Sequence, residues 1–374
     1  MKLTRKENLR KTLRGEMPQW VPFALNFEQW FRHHYTFNSL PPELQHCEDY
    51  VDAMKALDCD IFSRNLESGF HGRHSQVEVC ERVSAGATGP RIENCWPTPY
   101  GTLREVRQHQ SALSTSYEVE YPVKDWEADG KAFRYLLEQL EYSWDEKAFH
   151  AVNDKIGDDG ILNVRVGSSP LKMLHQNFGL DGACLFLLDY PDEAKEICAL
   201  YWSKIRPVLE QIAVHPDVEA TIIMDNVDTP FYPPSLAREF WAPYVAEAGE
   251  MMRAHGKYLF VHACGQLAAL NELFAQTRVS GLEGIAHPPL GDWTAEQAQA
   301  CHSDFIFIGG FSACEQEHAT DAQVERFYAE YLPTASKTRF IFSSSCQTAI
   351  NTPWSRLVQV REICRAWGGR PESS

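Results

Sequence analysis

The sequence predicts an α/β fold, a closed (β/α)8 TIM barrel, on three observations. Short apolar or β-branched runs alternate with longer helix-like stretches along most of the 374 residues, and crossovers of that length join parallel strands. About eight such runs occur, the number a closed barrel needs. Neither a GxGxxG after the first run nor a GxxxxGK[ST] is present, so the usual nucleotide-binding reasons for an open sheet are missing.

Taken in order, residues 1–19 form a basic opening stretch with Leu9 and Leu13 one helical turn apart. This predicts an amphipathic surface helix. A signal peptide would need an apolar core and a cleavage site, and a transit peptide would lack Glu7 and Glu16. Strands are predicted at 21–26, 60–64, 162–166, 220–225, 258–262, 281–285, 305–309 and 339–343. Ser235 is a helix N-cap with Gly256 as the stop, and further helices begin at Thr294 and Asp321. Residues 77–123 break the alternation with polar-alternating runs at 76–82, 101–108 and 114–123, punctuated by Pro90, Pro97, Pro99 and Gly101. They predict a β-hairpin or small sheet inserted near the mouth of a single barrel domain spanning 1–374. From Gly368 onward a frayed tail is expected.

Hydrophobic residues make up 44% and charged residues 23%, a globular composition that excludes disorder. Thirty-five Lys and Arg against 51 Asp and Glu give a net charge of -16. With no segregated basic patch, such a surface repels phosphate backbones and excludes a general nucleic-acid binder. No apolar run approaches the roughly 18 residues of a membrane helix. Eleven scattered cysteines without a CxxC pair read as thiols in a reducing compartment, which places the chain in the cytoplasm. Self-association is left open by the composition.

The segment Lys257-Tyr-Leu-Phe-Val-His-Ala-Cys-Gly265 is a buried-strand pattern ending on His262 and Cys264, with Gly265 allowing a sharp turn. Residues i and i+2 of a strand share a side, so both face one point at a barrel strand's carboxyl end, where barrel active sites are built. Imidazole and thiolate together suit zinc. Arg339-Phe-Ile-Phe-Ser-Ser-Ser-Cys346 is a second buried strand ending on a Cys. Gly281-Leu-Glu-Gly-Ile-Ala-His287 puts Glu283 in an apolar strand, where a carboxylate needs a counter-charge or a metal. Asp225 and Asp228 follow another buried strand; they could hold a water, orient a ligand, bind substrate, or cap a turn. In the first loop Asn26, Phe27, Trp30 and Phe31 either line a pocket for a flat substrate or pack on the barrel.

The order His-x-Cys, about 80 residues, then a Cys near the carboxyl terminus resembles the zinc methyltransferases of the uroporphyrinogen decarboxylase superfamily, which work with corrinoid proteins. The resemblance spans roughly residues 20 to 365. It includes Pro233-Pro-Ser-Leu-Ala-Arg-Glu-Phe-Trp-Ala-Pro-Tyr244, the His-Ala-Cys-Gly run, the Gly-Leu-Glu-Gly strand and the final Cys. It implies zinc bound by His262, Cys264 and Cys346, with Glu283 as an acidic, exchangeable fourth ligand. Uroporphyrinogen decarboxylases themselves carry an Arg-Gln-Ala-Gly-Arg type motif after the first strand. Here Asn26-Phe-Glu-Gln-Trp-Phe-Arg-His-His-Tyr35 has one Arg, too few for an octa-anionic porphyrinogen.

The resemblance implies methyl transfer involving a corrinoid, and the ring-rich first loop with a β insertion able to roof a pocket favours a methyl ether, an aromatic one, as the donor. With no Asp-x-His-x-x-Gly motif in the chain, a partner protein supplies that cofactor. The alternatives are methylation of a thiol by a methylcorrinoid, a small-molecule decarboxylase or lyase, and a binding protein with structural zinc.

Overall fold

The computed structural model describes residues 3–312 and 317–367; the expected tail from Gly368 and Cys314 lie outside them. Two extended segments, 21–26 and 60–64, open the barrel wall. After them come β1 (Phe70–His74), then an antiparallel four-stranded sheet of β2 (Cys80–Ala85), β3 (Pro90–Thr98), β4 (Gly101–Gln110) and β5 (Thr115–Glu120). Next is β6 (Leu140–Trp144), which pairs back onto β1. A parallel run follows: β7 (Asn163–Val166), β8 (Ala220–Val227), β9 (Tyr258–Ala263), β10 (Gly281–Ile285), β11 (Ile306–Phe311) and β12 (Arg339–Ser344), each bonded to the next in chain order.

The two opening segments close the ring. Ala24 N–H donates to the Phe342 carbonyl at 2.8 Å and Phe342 N–H to Pro22 at 2.9 Å. Asp60 N–H donates to Phe23 at 2.7 Å, and Ile61 exchanges bonds with Asp159 and Ile161, both at 2.9 Å. The fold is the α/β barrel that the strand alternation predicts, with all eight strand positions where the apolar runs lie.

Alternation along the strands divides the core. Ile222, Phe260, Ile308 and Ile341 pack together inside the ring, whereas Val164, Val166, Ile223 and Val261 belong to the larger core shared with the helices. Helix Arg5–Arg14 is more than a surface helix, because its Leu9 and Leu13 join the inner cluster. Thr4 caps its start and Gly15 ends it.

Two helix expectations change. The stretch from Ser235 breaks at Trp241 into Pro234–Phe240 and Ala242–Ala254, because Pro243 has no N–H to continue the ladder. The ring-rich first loop is largely helix Glu28–Thr36. The proline-punctuated region also holds one strand more than its polar alternation indicates. β3 starts on Pro90 and has Pro97 next to its last residue, positions where a missing donor costs least.

Candidate metal centre

Three potential ligands meet at the carboxyl ends of β9 and β12. His262 lies in β9 and Cys264 just beyond it, where Cys264 N–H donates to the Val227 carbonyl at 3.1 Å. Cys346 follows β12 in a turn tied to the first wall segment. Asn26 Nδ2 donates to the Cys346 carbonyl at 2.9 Å, and the Asn26 carbonyl accepts from Ser344 Oγ at 2.8 Å and Thr348 Oγ1 at 2.9 Å. One ligand atom from each of His262, Cys264 and Cys346 lies within 4.8 Å of the other two. Two sulfurs and one imidazole nitrogen form a donor set suited to zinc.

The neighbours of the imidazole prepare it. Glu283 Oε2 sits 2.7 Å from His262 Nδ1, so Nδ1–H donates to the carboxylate and Nε2 is the ring nitrogen turned toward Cys346, 4.0 Å away. The other Glu283 oxygen accepts from Arg64 Nη1. Arg64 also donates to the Cys346 carbonyl at 3.2 Å. Burial opposes ionisation of Glu283, but Arg64 and His262 outweigh it and hold the carboxyl below its usual range. Cys346 is lowered to about 4 by a hydrogen bond from Cys264, helped by His262 and Arg64 against burial. That same hydrogen bond, followed by burial, pushes the Cys264 thiol up. For His262, burial and Arg64 disfavour the cation, yet Glu283 and Cys346 raise its pKa.

The fit to a metal is thus good for three residues and different for the fourth. Glu283, expected as an exchangeable ligand, lies behind the imidazole, with one oxygen on His262 and the other on Arg64. It serves as orienter and counter-charge. Gly284 makes that approach feasible, since at φ +92 a Cβ would lie 2.6 Å from His262 Cε1.

Other expected site residues are placed elsewhere. Asp225, expected to take part in catalysis, is fully buried; it accepts from Ser169 N–H at 2.9 Å and from Trp241 Nε1 at 2.8 Å. With both oxygens engaged, and burial raising its pKa, it joins the start of helix Pro170–Asp189 to Trp241. Asp228, the other acid expected in catalysis, accepts from Gln266 N–H at 2.8 Å and packs against Gly265, whose φ of +104 makes the predicted turn. It shapes the Cys264 loop.

Phe27, Trp30 and Phe31 are buried among other rings. Phe27 packs against Tyr50 at 5.2 Å, Trp30 stacks on Trp354 at 5.8 Å, and Phe31 lies 6.1 Å from Tyr50. A helix periodicity turns these rings inward. Asn26 holds the Cys346 turn as described. His287 is buried against Phe327. Arg64 escaped the sequence reading, although a charged residue ending the buried run Asp60-Ile-Phe-Ser-Arg64 was the available signal.

A second grouping, Glu146, His150 and His215, is a hydrogen-bonded cluster of another kind. Asp217 N–H donates to His215 Nδ1 at 3.3 Å. This leaves Nε2 carrying the proton toward Glu146, 3.1 Å away, in the wrong tautomer for a ligand.

A closed barrel with an imidazole and two thiols converging at its carboxyl-terminal mouth defines a TIM-barrel protein with a soft-metal donor set. Residues 148–367, more than half of the chain, match the family model for uroporphyrinogen decarboxylase (URO-D), and the chain belongs to that family. Among solved structures it is similar to a methyltransferase from Methanosarcina mazei, at 12% identity and a TM-score of 0.61, over 98% of this chain and 99% of the other. That likeness is one of fold. A B12-independent methionine synthase from Shewanella sp. W3-18-1 is similar at 8% identity over 94% and 95% of the two chains, with a TM-score of 0.41, too loose to argue from. No curated protein matches the sequence.

Proposed function

We propose that the chain is a zinc-dependent methyltransferase that takes the methyl group of a small methyl ether and delivers it to a corrinoid carried by a separate protein. The observation that supports this most is the convergence of His262, Cys264 and Cys346 at the barrel mouth. A zinc ion held by these three would supply Lewis acidity toward a substrate oxygen or sulfur. The surrounding residues do the rest. Glu283 fixes the imidazole tautomer, Arg64 balances the buried anions, and Asn26 sets the position of the Cys346 turn. Ligands from separate strand ends at a barrel mouth favour a catalytic over a purely structural site.

Family membership does not bring uroporphyrinogen decarboxylation with it. Arg32, the one arginine of the first loop, is exposed and bonded to Glu28, so that loop offers no arginine cluster to hold eight carboxylates. With Phe27, Trp30 and Phe31 packed into the core, the aromatic character of the donor loses its support, and methylation of a thiol by a methylcorrinoid stands as the second reading. A cytoplasmic location fits the ten described cysteines, all of them free thiols. Among the described residues no helix is long and apolar enough to cross a membrane.

The test is an anaerobic assay of the zinc-loaded protein with reduced corrinoid against methoxyarenes, aliphatic methyl ethers and methylated thiols, with cobalt methylation followed by visible absorbance. Methylation of cobalt by an ether supports the first reading. Methylation only by the methylated thiols, the reverse of thiol methylation, supports the second, and no transfer from any of them contradicts both.

A further inference from the structure

The inner wall of the barrel carries an arginine that the metal centre does not use. Arg165 lies in β7 between Val164 and Val166, which belong to the outer, helix-packed core. It is in register with Ile222 of β8, and Ile222 with Phe260 of β9; both are inner-cluster residues. Arg165 therefore faces the barrel interior. β7 ends at Val166, so Arg165 lies at the carboxyl end of its strand, the end of the barrel at which His262 closes β9. Arg64, at the end of the second wall segment, reaches Glu283 and Cys346.

Arg165 is half-buried, and among the described residues its guanidinium has neither an ion pair nor a hydrogen bond. Its backbone N–H and carbonyl are both tied to Ser68 Oγ, at 3.1 and 3.3 Å, which fixes the base of the side chain. The neighbouring charges have partners of their own. Arg64 is matched by Glu283, and the two thiolates of a loaded site would balance a divalent ion. Part of the residue stays open to solvent, so the Arg165 guanidinium is accessible to an anion entering the mouth and is committed to no group among the described residues.

We propose that Arg165 anchors a carboxylate of the substrate, so that the molecule undergoing methyl transfer is a small monoacid. This rests on the reading of the mouth as the place of methyl transfer. The planar guanidinium fork suits a carboxylate in a bidentate pair, and a single such arginine suits one acidic group.

The experiment separates binding from turnover. Titration calorimetry on the zinc-loaded full chain compares 3-methoxybenzoate with 3-methoxybenzamide, and 3-sulfanylpropanoate with its amide, in wild type, Arg165→Gln and Arg165→Lys. The expected result is that at least one acid binds wild type about 10- to 100-fold more tightly than its amide. Arg165→Gln should abolish that preference and Arg165→Lys keep part of it, with zinc content as the control for folding. No preference in wild type, or a preference that survives Arg165→Gln, overturns the proposal. Cobalt methylation is measured separately: an Arg165-dependent preference without methyl transfer would sink the methyltransferase reading and leave the anchor standing.

Discussion

His262 has different neighbours on its two ring nitrogens, and this asymmetry governs the site. Nδ1 faces Glu283 and Nε2 faces Cys346. Glu283→Gln should lower zinc affinity by about 10- to 100-fold. It should also cost roughly 3–5 kcal/mol of stability, because Arg64 would be left as a buried, unpaired charge. Adding Arg64→Met should restore much of the stability and not the affinity; chelator competition and denaturant titration check the two separately. His175 offers a pH test away from the ligands. Burial, with Lys172 adding to it, lowers its pKa to about 4. The unfolded chain, with an ordinary histidine near 6.5, takes up its proton first. The contribution is therefore complete above pH 6.5 and is lost as pH falls toward 4, by an amount on the order of 3 kcal/mol. A His175→Gln protein should show a flatter fall of its urea midpoint over that window. At this scale the convergence of His262, Cys264 and Cys346 was legible, because His and Cys at strand ends are few and specific. Glu283 was legible as a site residue, whereas its place behind the imidazole was not, since sequence spacing carries no information on which side of an imidazole a carboxylate lies.

Parallel barrel strands are buried on both faces and read as continuous apolar runs, which is why every wall strand was visible in the sequence. Helix Glu28–Thr36 was not, because a loop rich in rings and a helix with a ring-lined buried face have similar composition. Only the spacing of Phe27, Trp30 and Phe31 separates them. β3 was hidden by its terminal prolines. Helix Arg5–Arg14 provides the element-scale prediction. Leu9 is fully buried in the barrel's inner cluster, so Leu9→Ala should cost about 2–4 kcal/mol through a cavity there. It shares that cluster with Ala220 and Ile306, the first residues of β8 and β11, at the opposite end of the strands from the ligand turns, so zinc affinity should be unchanged in a denaturant-free chelator titration. A large drop in affinity would show that the inner cluster and the ligand turns are coupled.

As a whole, the molecule carries a net charge of -16, and the functional reading requires a protein partner to approach the mouth. Long-range attraction then needs a basic face on that partner, screened over about 8–10 Å at ordinary salt. Turnover with the corrinoid protein should fall as ionic strength rises, while turnover with free cobalamin should hardly change. Equal salt dependence of the two would argue against a charged docking surface. The central claim is the zinc centre itself. Zinc-edge X-ray absorption, with metal analysis of wild type and Cys264→Ala, tests it most directly. The account predicts one zinc per chain with two sulfur neighbours, one of the light neighbours being imidazole, and loss of the metal from a still-folded Cys264→Ala. A folded wild type that binds no zinc, or a Cys264→Ala protein that keeps full metal and full activity, would contradict it.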